Sequence, residues 1–295
     1  MQAYILVLLS TILTLSTSVI IKKTQQGIKP TFPHLIMVNL INSIFGTLCF
    51  WVLGKFRIGV DPVVLIYAAI FPLFVIGNLF LQLLVYSRVS VSFGSLINTS
   101  GRIILSILFG TLILREPFSL RLLLAVLLLI AAALIPCRNI LSVKTGKSSL
   151  FFCALWFLVA GGMAIFCKIY SIDERLTDTN SMFFFTNVFC FAICLVLLIG
   201  YRIKNGTGSL SQTMREVVRP RIVISMGINT IPTNFVTIVN VIALQLMPLS
   251  VHTVLTSSLA LVGSTLLSLW VFRERVTRND YIALILAVIA IALNP

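Results

Sequence analysis

Ten long apolar runs, separated by short polar connections, decide what this chain can fold into. A bilayer-spanning helix needs about 20 consecutive, mostly apolar residues. Stretches that meet this lie over 3–21, 33–53, 64–86, 91–114, 120–136, 150–169, 181–201, 221–246, 250–272 and 279–294. The runs are continuous rather than alternating, which points to helices and not to barrel strands. The one sizeable polar connection, Arg202 to Arg219, leaves no room for a separate soluble domain. The chain is 59% hydrophobic and 10% charged, whereas a soluble domain carries about a quarter charged residues. The expected class is an all-α polytopic membrane protein of ten transmembrane helices.

A net charge of +14 on a soluble protein would point to nucleic acid. Here the basic residues flank apolar runs, so the charge concerns topology and anionic lipid headgroups, and no nucleic-acid partner is expected. The N-terminal run lacks a basic leader, and Lys22 and Lys23 follow it, so it reads as a first transmembrane helix and not a signal peptide. Cys49, Cys137, Cys153, Cys167, Cys190 and Cys194 lie within or beside apolar segments without a CxxC pair. They read as buried small hydrophobes, with no disulfide framework and no metal site. Phosphate-binding glycine loops, HExxH and GxSxG are absent and no triad-like spacing occurs. No catalytic residue, no cofactor and no enzymatic reaction are expected.

The second half repeats the first. Positions 92–136 shifted by 158 fall on 250–294 without a gap: Ser92, Ser100 and Ser106 meet Ser250, Ser258 and Ser264, and Ala125, Leu128 and Ala132 meet Ala283, Leu286 and Ala290. Apolar matches are cheap in a membrane chain. The match of Arg115-Glu116 to Arg273-Glu274 is not. Five helices per half, over 1–140 and 148–295, make the halves enter the membrane from opposite sides. This is an inverted repeat, an architecture common among secondary transporters.

These features resemble the drug/metabolite transporter superfamily, in its EamA-like branch. The residues that carry the resemblance are LREPFSLRLLLAVLLLIAAALI from Leu114 and FRERVTRNDYIALILAVIAIAL from Phe272, each with a Glu ending the fourth or ninth helix. The resemblance spans essentially the whole chain. It implies ten helices in two inverted repeats and transport of a solute. Members carry amino acids, other metabolites, nucleotide sugars or cationic compounds. They often place a proline in the middle of the fourth helix, where this chain reads Ser100-Gly101-Arg102.

Arg102 sits near the middle of an apolar run. A basic side chain there costs about 2.5–3.5 kcal/mol on insertion scales, so it should face the protein interior or a wet cavity and find an anion. Asp61, Glu116, Asp173, Glu174, Asp178, Glu216, Glu274 and Asp280 all lie at helix ends or in loops. Arg102 therefore reads as the receptor for an anionic group of a substrate, which a guanidinium grips in a two-pronged geometry. The alternatives are a guanidinium satisfied by carbonyls and by Asn98 one turn away, or one that snorkels to an interface. The missing mid-membrane acid disfavours proton-coupled cation export.

The third and eighth runs carry prolines, Pro72 and Pro232, which free backbone carbonyls and mark broken or hinged helices at corresponding places in the halves. Around them lie Asn78, Gln82 and Tyr86 in the third run and Asn229, Asn234 and Asn240 in the eighth. With Arg102, Asn98 and Asn42, these are the candidate substrate-binding residues; Asn and Gln also serve as glue between helices. Trp51, Trp156 and Trp270 read as interfacial anchors, His252 as an interfacial histidine with a possible proton-carrying role, and the Arg-Glu pairs as headgroup anchors.

The positive-inside rule places both termini outside, because Lys22, Lys23, Lys29, Arg202, Lys204 and Arg215 share a face with most of the other basic residues. The resemblance implies termini in the cytosol. The leading expectation is a multi-pass carrier of the plasma or bacterial inner membrane, monomeric or homodimeric. It would move a small metabolite with an anionic group, such as an amino acid, by alternating access. A carrier of amines or lipophilic drugs, and a non-transporting scaffold or enzyme, are the other readings.

Overall fold

A computed structural model describes residues 2–25, 31–86, 91–117, 119–135, 147–173, 178–205, 214–270 and 278–293. Among them the regular structure is all helical. The long helices are α1 (Gln2–Gln25), α2 (Phe32–Leu53), α3 (Pro62–Tyr86), α4 (Val91–Leu112), α5 (Leu120–Leu134), α6 (Lys147–Ile172), α7 (Thr179–Asn205), α8 (Pro220–Leu246), α9 (Leu249–Trp270) and α10 (Arg278–Leu293). Each apolar run is met by a helix whose ends lie within a few residues of those expected. Five of them, α2, α3, α6, α7 and α8, are long and apolar enough to cross a membrane. The other five carry shorter apolar stretches among the described residues, such as Ile97–Leu112 and Leu249–Gly263.

The chain divides into two compact units, and each draws helices from both sequence halves. The first comprises Met1–Leu15, Leu84–Ile172 and Val239–Pro295; the second comprises Ser16–Leu83 and Asp173–Ile238.

In the first unit α4 lies along α6, with α9 against α4, α5 and α6, and α10 against α5 and α9. Glycine sets the closest approach. A Cβ on Gly101 would stand 2.4 Å from the Phe157 carbonyl oxygen, and one on Gly161 would stand 2.5 Å from Leu105 Cβ and 2.7 Å from the Gly101 oxygen. Small residues allow this backbone contact between membrane helices. Ile103 and Ile107 of α4 bury against Leu122, Ala125 and Leu129 of α5, Val254 of α9 and Ala290 of α10. The start of α1, through Ala3 and Val7, packs on Ala243, Met247, Val251 and Leu255. Further along, Leu15 fills the space left by Gly263.

In the second unit α2 lies along α7, burying Ile36, Met37 and Ile41 against Cys190, Cys194 and Leu198. Gly46 makes room for Asn187, whose Oδ1 would lie 2.3 Å from an added Cβ. Phe50 stacks on Phe183 at 5.5 Å, and Phe71 of α3 meets the same ring edge-on. Asp178 caps α7 by accepting from the backbone N–H groups of Asn180 (3.0 Å) and Ser181 (3.2 Å). Such a carboxylate satisfies donors that a helix start leaves free.

Two placements correct the sequence reading. Trp156 is 2% exposed, well inside α6, and so does not anchor at an interface; it belongs to the core of the first unit. Trp51 is 43% exposed near the end of α2 and stands edge-on to Phe56, which fits an anchoring side chain. The side chain of Trp270 and the pair Arg273-Glu274 lie outside the described residues.

Candidate functional site

Arg102 lies on α4 between two covered faces. Gly101 and Leu105 meet α6, while Ile103 and Ile107 face α5, α9 and α10. Taken as a whole residue Arg102 is exposed, although its chain neighbours Gly101 and Ile103 are buried. Among the described residues no carboxylate forms an ion pair with it; the one such pair found there, His34 with Glu216, is in the second unit. Its electrostatic neighbours are the Cys167 thiol of α6 and the His252 imidazole of α9. Asn98, one turn before Arg102, is half-buried.

The same unit holds several buried polar atoms without hydrogen-bond partners: Ser106 Oγ on α4, Asn240 Oδ1 on α8, and His252 Nε2 and Ser258 Oγ on α9. Leaving such a group unpaired in a protein interior costs about 1–3 kcal/mol. Ser106 follows Arg102 by one turn, so both lie on one side of α4. His252 is 7% exposed, which overturns its placement at an interface.

A clasp of opposite charges holds the break between α8 and α9. Lys168 Nζ donates to the carbonyls of Leu244 (2.6 Å) and Met247 (3.0 Å) at the end of α8. The Glu116 carboxylate accepts from the Leu249 N–H (2.6 Å), the Ser250 N–H (3.2 Å) and the Ser250 hydroxyl (2.7 Å) at the start of α9. A cation thus meets carbonyls at a helix C-terminus and an anion meets amides at an N-terminus, both the favourable sense of the helix dipole. Arg115 adopts a left-handed φ of 53° as the chain leaves α4. Gly110 leaves the room Glu116 needs, since a Cβ there would stand 2.4 Å from Glu116 Oε2. Glu116 is therefore a helix cap and not a headgroup anchor. Glu116→Ala is expected to cost about 1–2 kcal/mol as a lost cap. Lys168→Met is expected to cost about 1–3 kcal/mol through two stranded carbonyls. Thermal melting of each purified variant in detergent checks both.

The second unit holds the other expected site residues. Asn42 Oδ1 of α2 accepts from the Thr230 hydroxyl of α8 at 3.4 Å. Asn234, one turn further along α8, is 8% exposed with Nδ2 unpartnered, and Asn229 Oδ1 is also buried without a partner. Asn78 and Gln82 are half-buried on α3, after the buried Pro72; Pro232 lies inside α8. Arg102, Asn98 and Asn240 thus belong to the first unit, and Asn42, Asn78, Gln82, Asn229 and Asn234 to the second. The Tyr86 side chain lies outside the described residues.

Sequence reasoning missed Lys168 as a structural cation and left it among the basic residues that flank apolar runs. Its place just inside the end of an apolar run was the available signal. Ser106 and Ser258 stood out only as markers of the repeat, because a serine in a membrane helix usually bonds its own backbone.

The chain matches no family model and no curated protein. Among solved structures it is similar to one described only as a crystal structure of protein, with a TM-score of 0.69 and 17% identity, over 99% of this chain and 95% of that one. The likeness establishes a fold with experimental precedent along the full length of the chain.

Proposed function

We propose that this protein is a secondary transporter of the drug/metabolite transporter type, EamA-like, in a plasma or bacterial inner membrane. It carries a small metabolite with an anionic group, such as an amino acid, by alternating access. The observation that carries the reading is Arg102: a basic side chain midway along an apolar helix, with no carboxylate partner among the described residues. Unpartnered hydroxyl, amide and imidazole atoms in the same unit supply the neutral hydrogen bonds a small solute needs.

The inverted repeat gains support from packing. Helices five apart in order lie against each other: α2 on α7, α4 on α9 and α5 on α10. Ala125 and Ala132 of α5 and their repeat partners Ala283 and Ala290 of α10 are all buried. Leu105 packs on Gly161 between α4 and α6, while Gly263, 158 positions after Leu105, receives Leu15 between α9 and α1. Both α3 and α8 begin in one unit and end in the other. Each carries an internal proline, as expected of the discontinuous helices of inverted-repeat transporters.

A thermal-shift screen of the purified protein against amino acids, organic acids, phosphates and amines tests this. A ligand at 100 times its Kd stabilises by about 2.7 kcal/mol. Stabilisation by an anion-bearing class is expected. Stabilisation by amines alone would favour an exporter of cations with Arg102 as a structural residue.

A further inference from the structure

We propose that one end of the second unit is a binding surface for anionic phospholipid, formed by Arg202, Lys204, Arg215, Arg219 and Arg221. It involves no residue of the candidate solute site.

Along the sequence, basic residues are spread over the ends of many apolar runs. The fold gathers these five. Phe32, at the start of α2, meets the Phe80 ring of α3 edge-on at 5.3 Å and the Tyr201 ring of α7 at 6.0 Å, so the end of α7 lies beside the start of α2. The turn before α8 is fastened to the same place. His34 Nε2 of α2 and Glu216 Oε2 are hydrogen-bonded at 2.9 Å, and Val217 is fully buried in one cluster with Ile36 of α2 and Leu198 of α7. Arg202 and Lys204 at the end of α7, Arg215 and Arg219 before α8, and Arg221 in its first turn are all exposed. The one carboxylate among the described residues at this end is Glu216, and His34 engages it. The opposite end of the unit differs. There the Gly59 N–H donates to the Ser181 hydroxyl at 2.9 Å and the Tyr67 hydroxyl donates to Asp173 at 3.2 Å. Its described charges are mixed, Lys55 and Arg57 against Asp61, Asp173 and Asp178.

Apolar side chains stand exposed among the cations: Ile203, at 81%, lies between Arg202 and Lys204, and Met214 and Val218 each precede an arginine. A soluble polyanion would satisfy the charges and leave these side chains in water. A phospholipid meets both, with its phosphate on the basic groups and its acyl chains against the apolar ones. Four of the five cations are arginine, whose planar fork pairs two phosphate oxygens at once. This end of the unit belongs at the cytosolic leaflet, which is rich in anionic lipid and is the side that the positive-inside rule gives it. Each Lys or Arg near an anionic surface strengthens attachment by about fivefold. A lipid that bridges the end of α7 and the turn before α8 binds the folded unit and not the unfolded chain, so it raises stability.

The test uses the purified full chain in micelles of a neutral detergent. Phosphatidylglycerol or phosphatidylcholine is titrated in, and the melting temperature is read at each step. The expected result is a saturable rise with phosphatidylglycerol that phosphatidylcholine does not give. The rise should fade as salt is raised from about 0.1 to 1 M, where the screening length falls from about 10 to 3 Å. A protein with both Arg215→Gln and Arg219→Gln should need about 25-fold more phosphatidylglycerol for half the rise. A protein with both Lys55→Gln and Arg57→Gln, at the mixed end, should need no more than wild type. All four positions are exposed, where substitution disturbs folding little. Soluble glycerol 3-phosphate, which has no acyl chains, should leave the melting temperature unchanged. Equal rises with the two lipids overturn the proposal without recourse to any variant. An unchanged midpoint in the Arg215→Gln, Arg219→Gln protein, or a rise with glycerol 3-phosphate equal to that with the lipid, overturns it as well.

Discussion

Gly161→Leu should dismantle the first unit. The position faces Leu105 and the backbone oxygen of Gly101, both within 2.7 Å of where a Cβ would sit. A flexible side-chain end could move aside, but Leu105 Cβ and a helix carbonyl cannot move without shifting α4. Overpacking a well-fitted interior costs about 1–3 kcal/mol, and this site belongs at the upper end because backbone meets backbone. The separation of α4 from α6 would also displace Arg102, which follows Gly101 directly. The expected result is a large fall in melting temperature and loss of a single monodisperse peak in detergent. Gly77→Ala and Gly200→Ala are the controls. Nothing lies within 4 Å of an added Cβ at either, and alanine is favoured over glycine in a helix by about 1 kcal/mol. Those two should melt no lower than wild type.

The second large effect is on solute. Arg102→Ala is expected to weaken binding of the anionic cargo by about 10- to 100-fold, with the melting temperature of the unliganded protein little changed. A hydrogen bond to a charged group contributes about 1.5–3 kcal/mol, and each 1.4 kcal/mol is about tenfold in Kd. Stability should hold because no carboxylate among the described residues depends on this guanidinium for its charge balance. Arg102→Lys should recover part of the loss, since it restores the charge without the two-pronged fork. A structural role predicts the reverse pattern, with lowered stability and unchanged affinity.

The helices were legible because a bilayer demands long unbroken apolar segments, and the runs around α2, α3, α6, α7 and α8 carry that signal without interruption. Arg102 was legible for the same reason: a charge in an apolar run stands out. What the sequence left hidden depends on which helix meets which. Trp156 reads as a run-end aromatic until α6 is seen to extend from Lys147, which places it deep inside. Glu116 reads as a headgroup anchor until α9 is seen to begin beside it. Lys168 reads as one more basic residue flanking an apolar run until the end of α8 supplies two carbonyls. Each of these partners is more than 70 positions away along the chain, for example 76 between Lys168 and Leu244 and 133 between Glu116 and Leu249. Periodicity and local composition carry no information at such separations. The division into two units drawn from both halves of the sequence was hidden likewise.

Counterflow in proteoliposomes addresses the function most directly. Vesicles are loaded with the anionic solute that stabilises the protein and diluted into a trace of the same solute carrying a radiolabel. An Arg102-centred carrier predicts transient accumulation of chemically unchanged label by the wild type and about 10- to 100-fold less by Arg102→Ala, the loss expected for a bond to a charged group. Absence of accumulation by the wild type, or accumulation that Arg102→Ala leaves undiminished, would contradict it.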